Sequence, residues 1–386
     1  MPLLGAGGGS GARGRAVATV APETLGPRAL GRATLARQLL LQRAELTPLE
    51  VVECLVGLQA QVPRDPYVAL WSRLDRFRPE SLSELLSDRV VVRTTVMRAT
   101  IHLVSAVECV TLRPLMQPVL DAELARHSEF APPLDGVDLG PVLDHARGLF
   151  AERSLSGREL RAALAERFPH LDPAALAYAC RCKLALVQVP PRGLWRHSAQ
   201  VTTTTAETWL GRPLAKRPSL DDVVLRYLGA FGPATVADVT TWCRLTGMRE
   251  VVERLRPHLV TFRDDSGREL VDLPDAPRPD PETPAPTRFL PEYDNLLLSH
   301  ADRSRFVTAA ARAGAVTATG RVLGTVLHDG TVSAVWRDER EGDRATVVVT
   351  PVVRLTKRAT ASIEAEGRRL ARALADGAAG AVRIAS

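Results

Sequence analysis

A chain of 386 residues is long enough for two or three domains with sizeable cores, and its apolar content is ordinary for a globular protein. No uninterrupted apolar run approaches the ~20 residues that a membrane span needs, which excludes a membrane partner of that kind. The net charge of +6 admits an anionic partner such as nucleic acid, although lysine occurs only at Lys183, Lys216 and Lys357, an arginine bias in keeping with a GC-rich genome.

The chain opens on "MPLLGAGGGSGARGRAVATVAPETLGPR", which lacks an apolar core of signal-peptide length. Residues 1–27 read as a flexible Gly/Ala/Arg leader, with a start codon placed too far upstream as one origin, and the expected location is the bacterial cytoplasm, at the nucleoid in use. Five scattered cysteines (Cys54, Cys109, Cys180, Cys182, Cys243) argue against a disulfide framework. Cys180 and Cys182 form one C-x-C inside a helical pattern with no second pair, so reduced, mostly buried thiols are expected and no zinc site.

Helix starts are well punctuated. Thr47-Pro48-Leu49-Glu50 is a capping box with proline at the first helical position, and Ser105 with Glu108 and Ser156 with Glu159 repeat it. Ser219 with Asp222 and Thr235 with Asp238 are weaker versions, and Asp65-Pro66 and Asp172-Pro173 suit an N-cap followed by its first helical residue. A first group of helices over residues 29–88 leads into "RVVVRTTVMRATIHLVS", two β-branched runs about a hairpin at Met97–Ala99. A second group (140–151, 157–168, 173–184) leads into "LALVQVPPRGLWRHSAQVTTTT", where Pro190, Pro191 and Gly193 supply the turn. A third (219–230, 235–245, 247–256) leads into "LVTFRDDSGRELVDLP", a hairpin turning at Asp264-Asp265-Ser266-Gly267.

Helices followed by a β-hairpin are the plan of a winged helix, and the plan recurs three times without a strict period. The expected class is α+β: tandem winged-helix units over residues 28–138, 139–212 and 213–274, then a Pro-rich linker over 275–287. Residues 288–386 form a β-rich block of three or four antiparallel strands, with turns at His328-Asp329-Gly330 and Glu341-Gly342-Asp343, closed by a helix near 359–377.

The usual enzyme signatures are missing: there is no P-loop, no G-x-S-x-G elbow and no H-E-x-x-H, and the glycine-rich "GAGGGSG" has no strand before it. No tight acidic cluster suggests two-metal chemistry, so an enzyme here works without metal or cofactor. Within "ECLVGLQAQVPRDPY", Gln59 and Gln61 lie two residues apart where an apolar helix is expected to end. By themselves they read as surface residues of a helix C-terminus.

That first stretch, "RATLARQLLLQRAELTPLEVVECLVGLQAQVPRDPYVALWSRL", resembles the opening of the bacterial winged-helix DNA glycosylases typified by AlkZ. Four more stretches match in order: "RTTVMRATIHLVS", "LVQVPPRGLWRHSAQ", "RYLGAFGPATVADVTTWCRLTG" and "FLPEYDNLLLSHADRSR", so the resemblance spans residues 28–358. It implies tandem winged helices with a β-rich C-terminal part, and release of alkylated bases, characteristically N7-alkylguanines, with crosslinks and bulky adducts among the substrates of some members. The AlkZ-like branch carries a Gln-x-Gln catalytic motif, which falls on Gln59 and Gln61; a sister branch has Asp at the second place, which this chain lacks.

The chemistry makes two neutral amides sensible. Alkylation at N7 leaves the base cationic, so it departs without a general acid while the sugar gains oxocarbenium character. A glutamine carbonyl can orient the attacking water and turn its dipole toward the developing cation. In an ideal helix, residues two apart diverge by about 200°. Convergence therefore requires an irregular exit near Val62, whose helical geometry Pro63 disfavours.

Further candidates for DNA or lesion contact are Arg93, Arg98 and His102 on the first wing, the alternative being a solvated strand face with a structural histidine. Trp195, Arg196 and His197 in the second wing's turn are placed to stack or insert beside a damaged base, or Trp195 packs. Asp294, Arg303 and Arg305 line the site or brace the C-terminal block by ion pairing. The resulting expectation is a monofunctional glycosylase acting on double-stranded DNA with alkylated purines, a monomer without lyase lysine. The alternative is a non-enzymatic winged-helix DNA-binding protein or transcriptional regulator.

Overall fold

The structure is a computed structural model that describes residues 22–315, 322–341, 344–375 and 380–385; most of the leader, and residues 342 and 343 of the expected turn at Glu341-Gly342-Asp343, fall outside the described residues. Helix starts follow the capping signals. Thr47/Glu50, Ser105/Glu108, Ser156/Glu159 and Thr235/Asp238 all close reciprocal boxes, while Ser219 caps Asp222 one way. Asp172 caps its helix through Ala174 and Ala175, but at the Asp65-Pro66 start the cap is Arg64 and Asp65 is already the first helical residue.

The first group of helices is Pro27–Arg37, Pro48–Cys54, Asp65–Arg73 and Pro79–Ser87, followed by the hairpin Val91–Thr95 and Ile101–Ser105 about a turn at Met97–Ala99. The second is Gly140–Glu152, Gly157–Arg167 and Pro173–Lys183, and the third Leu220–Phe231, Val236–Cys243 and Met248–Leu255. The wings do not stand apart. The strands of the first two merge into one six-stranded sheet in the order Leu58–Gln59, Ile101–Ser105, Val91–Thr95, Leu186–Gln188, Thr202–Thr205 and Leu155–Ser156. The junction pairs Arg93 with Gln188 and Thr94 with Val187, because β-branched runs on both sides leave edges that must find a partner.

The third hairpin, Val260–Asp264 with Glu269–Asp272, is joined in parallel by Thr24–Leu25, so part of the compositional leader belongs to the fold. After the Pro-rich stretch, four antiparallel strands (Arg288–Leu290, Gly324–His328, Thr331–Glu341, Arg344–Pro351) carry the helix Lys357–Leu374. A fifth strand, Gly380–Ile384, adds in parallel.

One apolar core spans the first wing and the third helical group: Val92, Val104 and Val187 from the sheet pack with Tyr227, Phe231 and Trp242. Trp242 is wholly buried with its ring 5.0 Å from Tyr227, which packs the Val236–Cys243 helix against Leu220–Phe231. Two buried ion pairs lock the parts together: Arg37 with Asp272 at 2.6 Å, and Arg73 with Asp294 at 2.9 Å. No described helix is long and apolar enough to cross a membrane.

Candidate active site

The glutamine pair does not sit at a helix exit. The Pro48–Cys54 helix stops before it, at Leu55, and the chain reverses through Val56 (φ 54°) and Gly57 (φ 87°). A Cβ on Gly57 would lie 2.7 Å from Val104 Cγ1 and 3.0 Å from the Leu103 carbonyl, so only glycine fits this turn. The extended chain that follows pairs antiparallel with the first wing, Leu58 opposite Leu103 and Gln59 opposite His102. The Ala60 N–H continues the ladder to the Ile101 carbonyl at 2.8 Å. A strand edge rather than a helix end presents the amides, and the 200° divergence of a helix does not arise.

Both side chains reach the same stretch of the first wing. Gln59 is 6% exposed and its Oε1 accepts from Arg98 Nη2 at 2.8 Å; Gln61 is exposed and its Oε1 accepts from the Ile101 N–H at 3.1 Å. Arg98 Nη2 also reaches Asn295 Oδ1 at 3.1 Å and His102 Nε2 at 3.3 Å, and Nη1 donates to the Trp242 carbonyl at 3.1 Å. Asn295 in turn donates to the Gly57 carbonyl at 3.0 Å, so the turn that launches the glutamine strand is tied to the same network.

The tautomer of His102 follows from its neighbours. Nδ1 lies 3.0 Å from the Thr100 carbonyl and must donate there, which leaves Nε2 as an acceptor for Arg98. Burial, with the Arg98 charge added, pushes the His102 pKa down to about 3, so the ring is neutral at physiological pH. Burial and then the charges of Arg244 and Arg303 push Arg98 down to about 9, which leaves it protonated. Arg98 (φ 59°) and Ala99 (φ 57°) both occupy the left-handed region, at a cost of about 1–2 kcal/mol each. The sheet and this network hold a strained tip in place.

Arg93, 1% exposed, donates through Nη2 to the carbonyl of Ala60 at 2.7 Å, between the two glutamines. Burial, then Arg192, lowers its pKa to about 10, and its Nε and Nη1 have no partner among the described residues. Gly193 (φ 96°) presses on it from the second wing; a Cβ there would lie 2.9 Å from Arg93 Cδ. Arg93, Arg98 and His102 are thus all buried, so this face of the wing is not solvated, while His102, bonded to the Thr100 carbonyl, fits the structural histidine of that alternative.

The other sequence candidates divide. Trp195 packs on Tyr67 with ring centroids 4.9 Å apart, and with Arg196 and His197 it walls a hollow of about 170 Å³ beginning at Pro63, beside the glutamines rather than among them. Asp294 is held by Arg73 and caps the Asn295–Leu297 turn; Arg305 donates to the Pro233 carbonyl at 3.0 Å and lies 3.9 Å from Asp238. The bracing alternative describes these two. Arg303 is half-buried and close enough to Arg98 to lower its pKa. Sequence reasoning missed Asn295, the Trp242 carbonyl and Arg244; Asn295 follows an Asp and reads only as turn chemistry. Among the described residues no group of His, Cys, Asp and Glu side chains could hold a metal ion.

The family described as "DNA glycosylase AlkZ-like" matches residues 52–373. The chain belongs to the AlkZ-like DNA glycosylase family. An interstrand DNA cross-link repair glycosylase of Streptomyces sahachiroi is 25% identical over 364 residues, covering 87% of this chain and 93% of the relative. The structure of the Streptomyces sahachiroi DNA glycosylase AlkZ superposes with a TM-score of 0.76 at 22% identity, covering 94% of this chain and all of that one. The α+β winged-helix architecture is therefore that of AlkZ, and the protein is a monofunctional DNA glycosylase rather than a regulator. Lys183 pairs with Asp121 at 2.8 Å.

Proposed function

We propose that this glycosylase hydrolyses the N-glycosidic bond of N7-alkylated purines in double-stranded DNA, crosslinked and bulky adducts included, with Gln59 and Gln61 as its catalytic residues. The observation that carries the reading is that both amides are engaged through Oε1 on one stretch of the first wing, Gln59 by Arg98 and Gln61 by the Ile101 N–H, one buried and one open to solvent. Each oxygen keeps a second lone pair for the attacking water. The C1′–N9 bond breaks with its electron pair going to the cationic base, which leaves neutral; water adds to C1′ and its proton passes to solvent. Neither amide bonds an Asp or Glu among the described residues, and His102 is unprotonated, which suits a leaving group that needs no acid. An exposed Gln61 supports attack on a nucleotide still in the duplex, which adducts too large for a flipping pocket require. The cross-link activity in the relative's name supports extending the reading to crosslinks.

The test is incubation with duplexes carrying N7-methylguanine or an N7-linked interstrand crosslink. Wild type should release free base or unhook the crosslink, and Gln59→Ala and Gln61→Ala should each lose about 100-fold or more in rate while keeping DNA binding. No release from either substrate, or full activity in both variants, would overturn the proposal.

A further inference from the structure

Of the buried arginines, Arg93 is the one with enclosed guanidinium nitrogens that lack a partner among the described residues. Arg98 makes four hydrogen bonds and Arg113 three, whereas Arg93 makes one, from Nη2 to the Ala60 carbonyl at 2.7 Å. Its Nε and Nη1 have none, and no carboxylate among the described residues lies in ion-pair range. Gln188 stands directly opposite Arg93 where the two wings join, and its Oε1 is also buried without a partner among the described residues. The guanidinium leaves that acceptor aside. It reaches the other way, past Leu103 on the neighbouring strand, to the chain that carries the glutamines. A charge buried with so few partners is costly, and an apolar side chain of similar volume would cost less. Orphaned donors of this kind persist where something other than stability keeps the residue in place.

We propose that Arg93 is a positioning residue: it fixes the peptide between Ala60 and Gln61, and thereby the point from which the Gln61 side chain starts. The inference rests on the reading of Gln59 and Gln61 as catalytic. The Ala60 carbonyl and the Gln61 N–H belong to one planar unit, so a hydrogen bond to the oxygen orients both. The Ala60 N–H is already bonded to the Ile101 carbonyl at 2.8 Å, and with Arg93 on its oxygen Ala60 is held at both polar groups. Gln61 is exposed, and the Ile101 N–H at 3.1 Å is its side chain's one tie among the described residues, so its aim depends on its backbone. Arg93 is itself pinned from the second wing. A Cβ on Gly193 (φ 96°) would lie 2.9 Å from Arg93 Cδ and 3.2 Å from Nη1, and the Gly193 carbonyl accepts from the Tyr67 hydroxyl at 2.7 Å. Tyr67 belongs to the Asp65–Arg73 helix just after the glutamines, which closes a ring of contacts through Arg93 and the second wing back to the same segment. A displacement of about 1 Å at a reacting group costs about 100-fold in rate.

The test uses full-length Arg93→Met, which keeps an unbranched chain but removes the charge and the donors, and Arg93→Lys, which restores a donor. In Arg93→Met the urea midpoint should equal or exceed that of wild type, and DNA affinity should hold within about twofold. Single-turnover base release from an N7-methylguanine duplex should fall about 100-fold, with Arg93→Lys recovering at least about tenfold of it. A lowered midpoint in Arg93→Met, or unchanged release, overturns the proposal. In a Gln61→Ala background the Arg93→Met loss should shrink to about twofold, because both changes act through one peptide. An undiminished loss there overturns the positioning role and leaves the glutamine reading standing, whereas full release by Gln61→Ala itself sinks that reading. A second readout needs no substrate. The sequence has two Ala-Gln pairs, Ala60-Gln61 and Ala199-Gln200, so labelling with carbonyl-13C alanine and 15N glutamine gives two carbonyl–amide cross-peaks. Arg93→Met should move the Ala60 peak and leave in place the Ala199 peak, whose carbonyl accepts from Arg192 at 2.9 Å. Two unmoved peaks overturn the proposal whether or not any alkylated base is released.

Discussion

Gly57→Ala is the most informative single change, because it perturbs the turn that lifts the glutamines out of the helix without touching either amide. Its cost has two parts. Holding alanine at φ 87° costs roughly 1–2 kcal/mol of left-handed strain. The new Cβ also meets Val104 Cγ1 at 2.7 Å and the Leu103 carbonyl at 3.0 Å, both on the central wing strand, where overpacking costs about 1–3 kcal/mol. Together they predict roughly 2–5 kcal/mol of destabilisation. The strain separates cleanly from the clash in a control: Gly136 has φ 69° but nothing within 4 Å of its Cβ position, so Gly136→Ala should lose only about 1–2 kcal/mol. Urea midpoints for the two variants measure the difference. At a temperature where both are folded, base release should collapse in Gly57→Ala, whose Asn295 tie and strand register shift, and persist in Gly136→Ala. Equal stability losses in the two variants, with full release in Gly57→Ala, would refute the reasoning.

Three further outcomes are expected. Asp294→Ala strands the Arg73 guanidinium in the interior and should cost about 3–5 kcal/mol in denaturant unfolding; a loss under 1 kcal/mol would show that the bracing role is misassigned. Gln61→Ala, at an exposed position, should stay within about 0.5 kcal/mol of wild type. Gln59→Ala removes the acceptor of a buried guanidinium and should lose about 1–3 kcal/mol, so equal stability of the two would contradict the assigned burial. His102 has a folded pKa of about 3, below its ordinary 6.5, so the folded state binds fewer protons. Its contribution is complete above pH 6.5 and is lost as pH falls toward 3, amounting to roughly 2 kcal/mol between pH 7 and pH 5. His102→Gln should reduce the acid sensitivity of the urea midpoint by that amount, and an unchanged pH dependence would reject the buried neutral ring.

Local signals carried much of the fold and little of the site. Capping boxes at Thr47, Ser105, Ser156 and Thr235 placed helix starts to within a residue because the cap is a short-range interaction written in two residues. The Gly380–Ile384 strand and the fusion of the first two wings escaped because both are long-range pairings, and a two-residue strand such as Leu58–Gln59 is shorter than any period. Gly57 was the available clue: a glycine after an apolar helical run marks a left-handed exit, which moves the helix end upstream of Pro63. The glutamines themselves became legible through resemblance, and Asn295 and Arg244 did not, since nothing in their own neighbourhoods distinguishes a network partner from an ordinary turn or cap.

The buried thiols bear on the protein's surroundings as well as its core. Cys109, Cys180, Cys182 and Cys243 are enclosed, and burial pushes them up to between about 11 and about 12, so none offers a thiolate at neutral pH. With three lysines in 386 residues, amine nucleophiles are nearly as scarce, and Cys54 is the one thiol at the surface. The reagents that alkylate guanine N7 are electrophiles that seek such groups. A chain composed this way offers such electrophiles few side chains to attack.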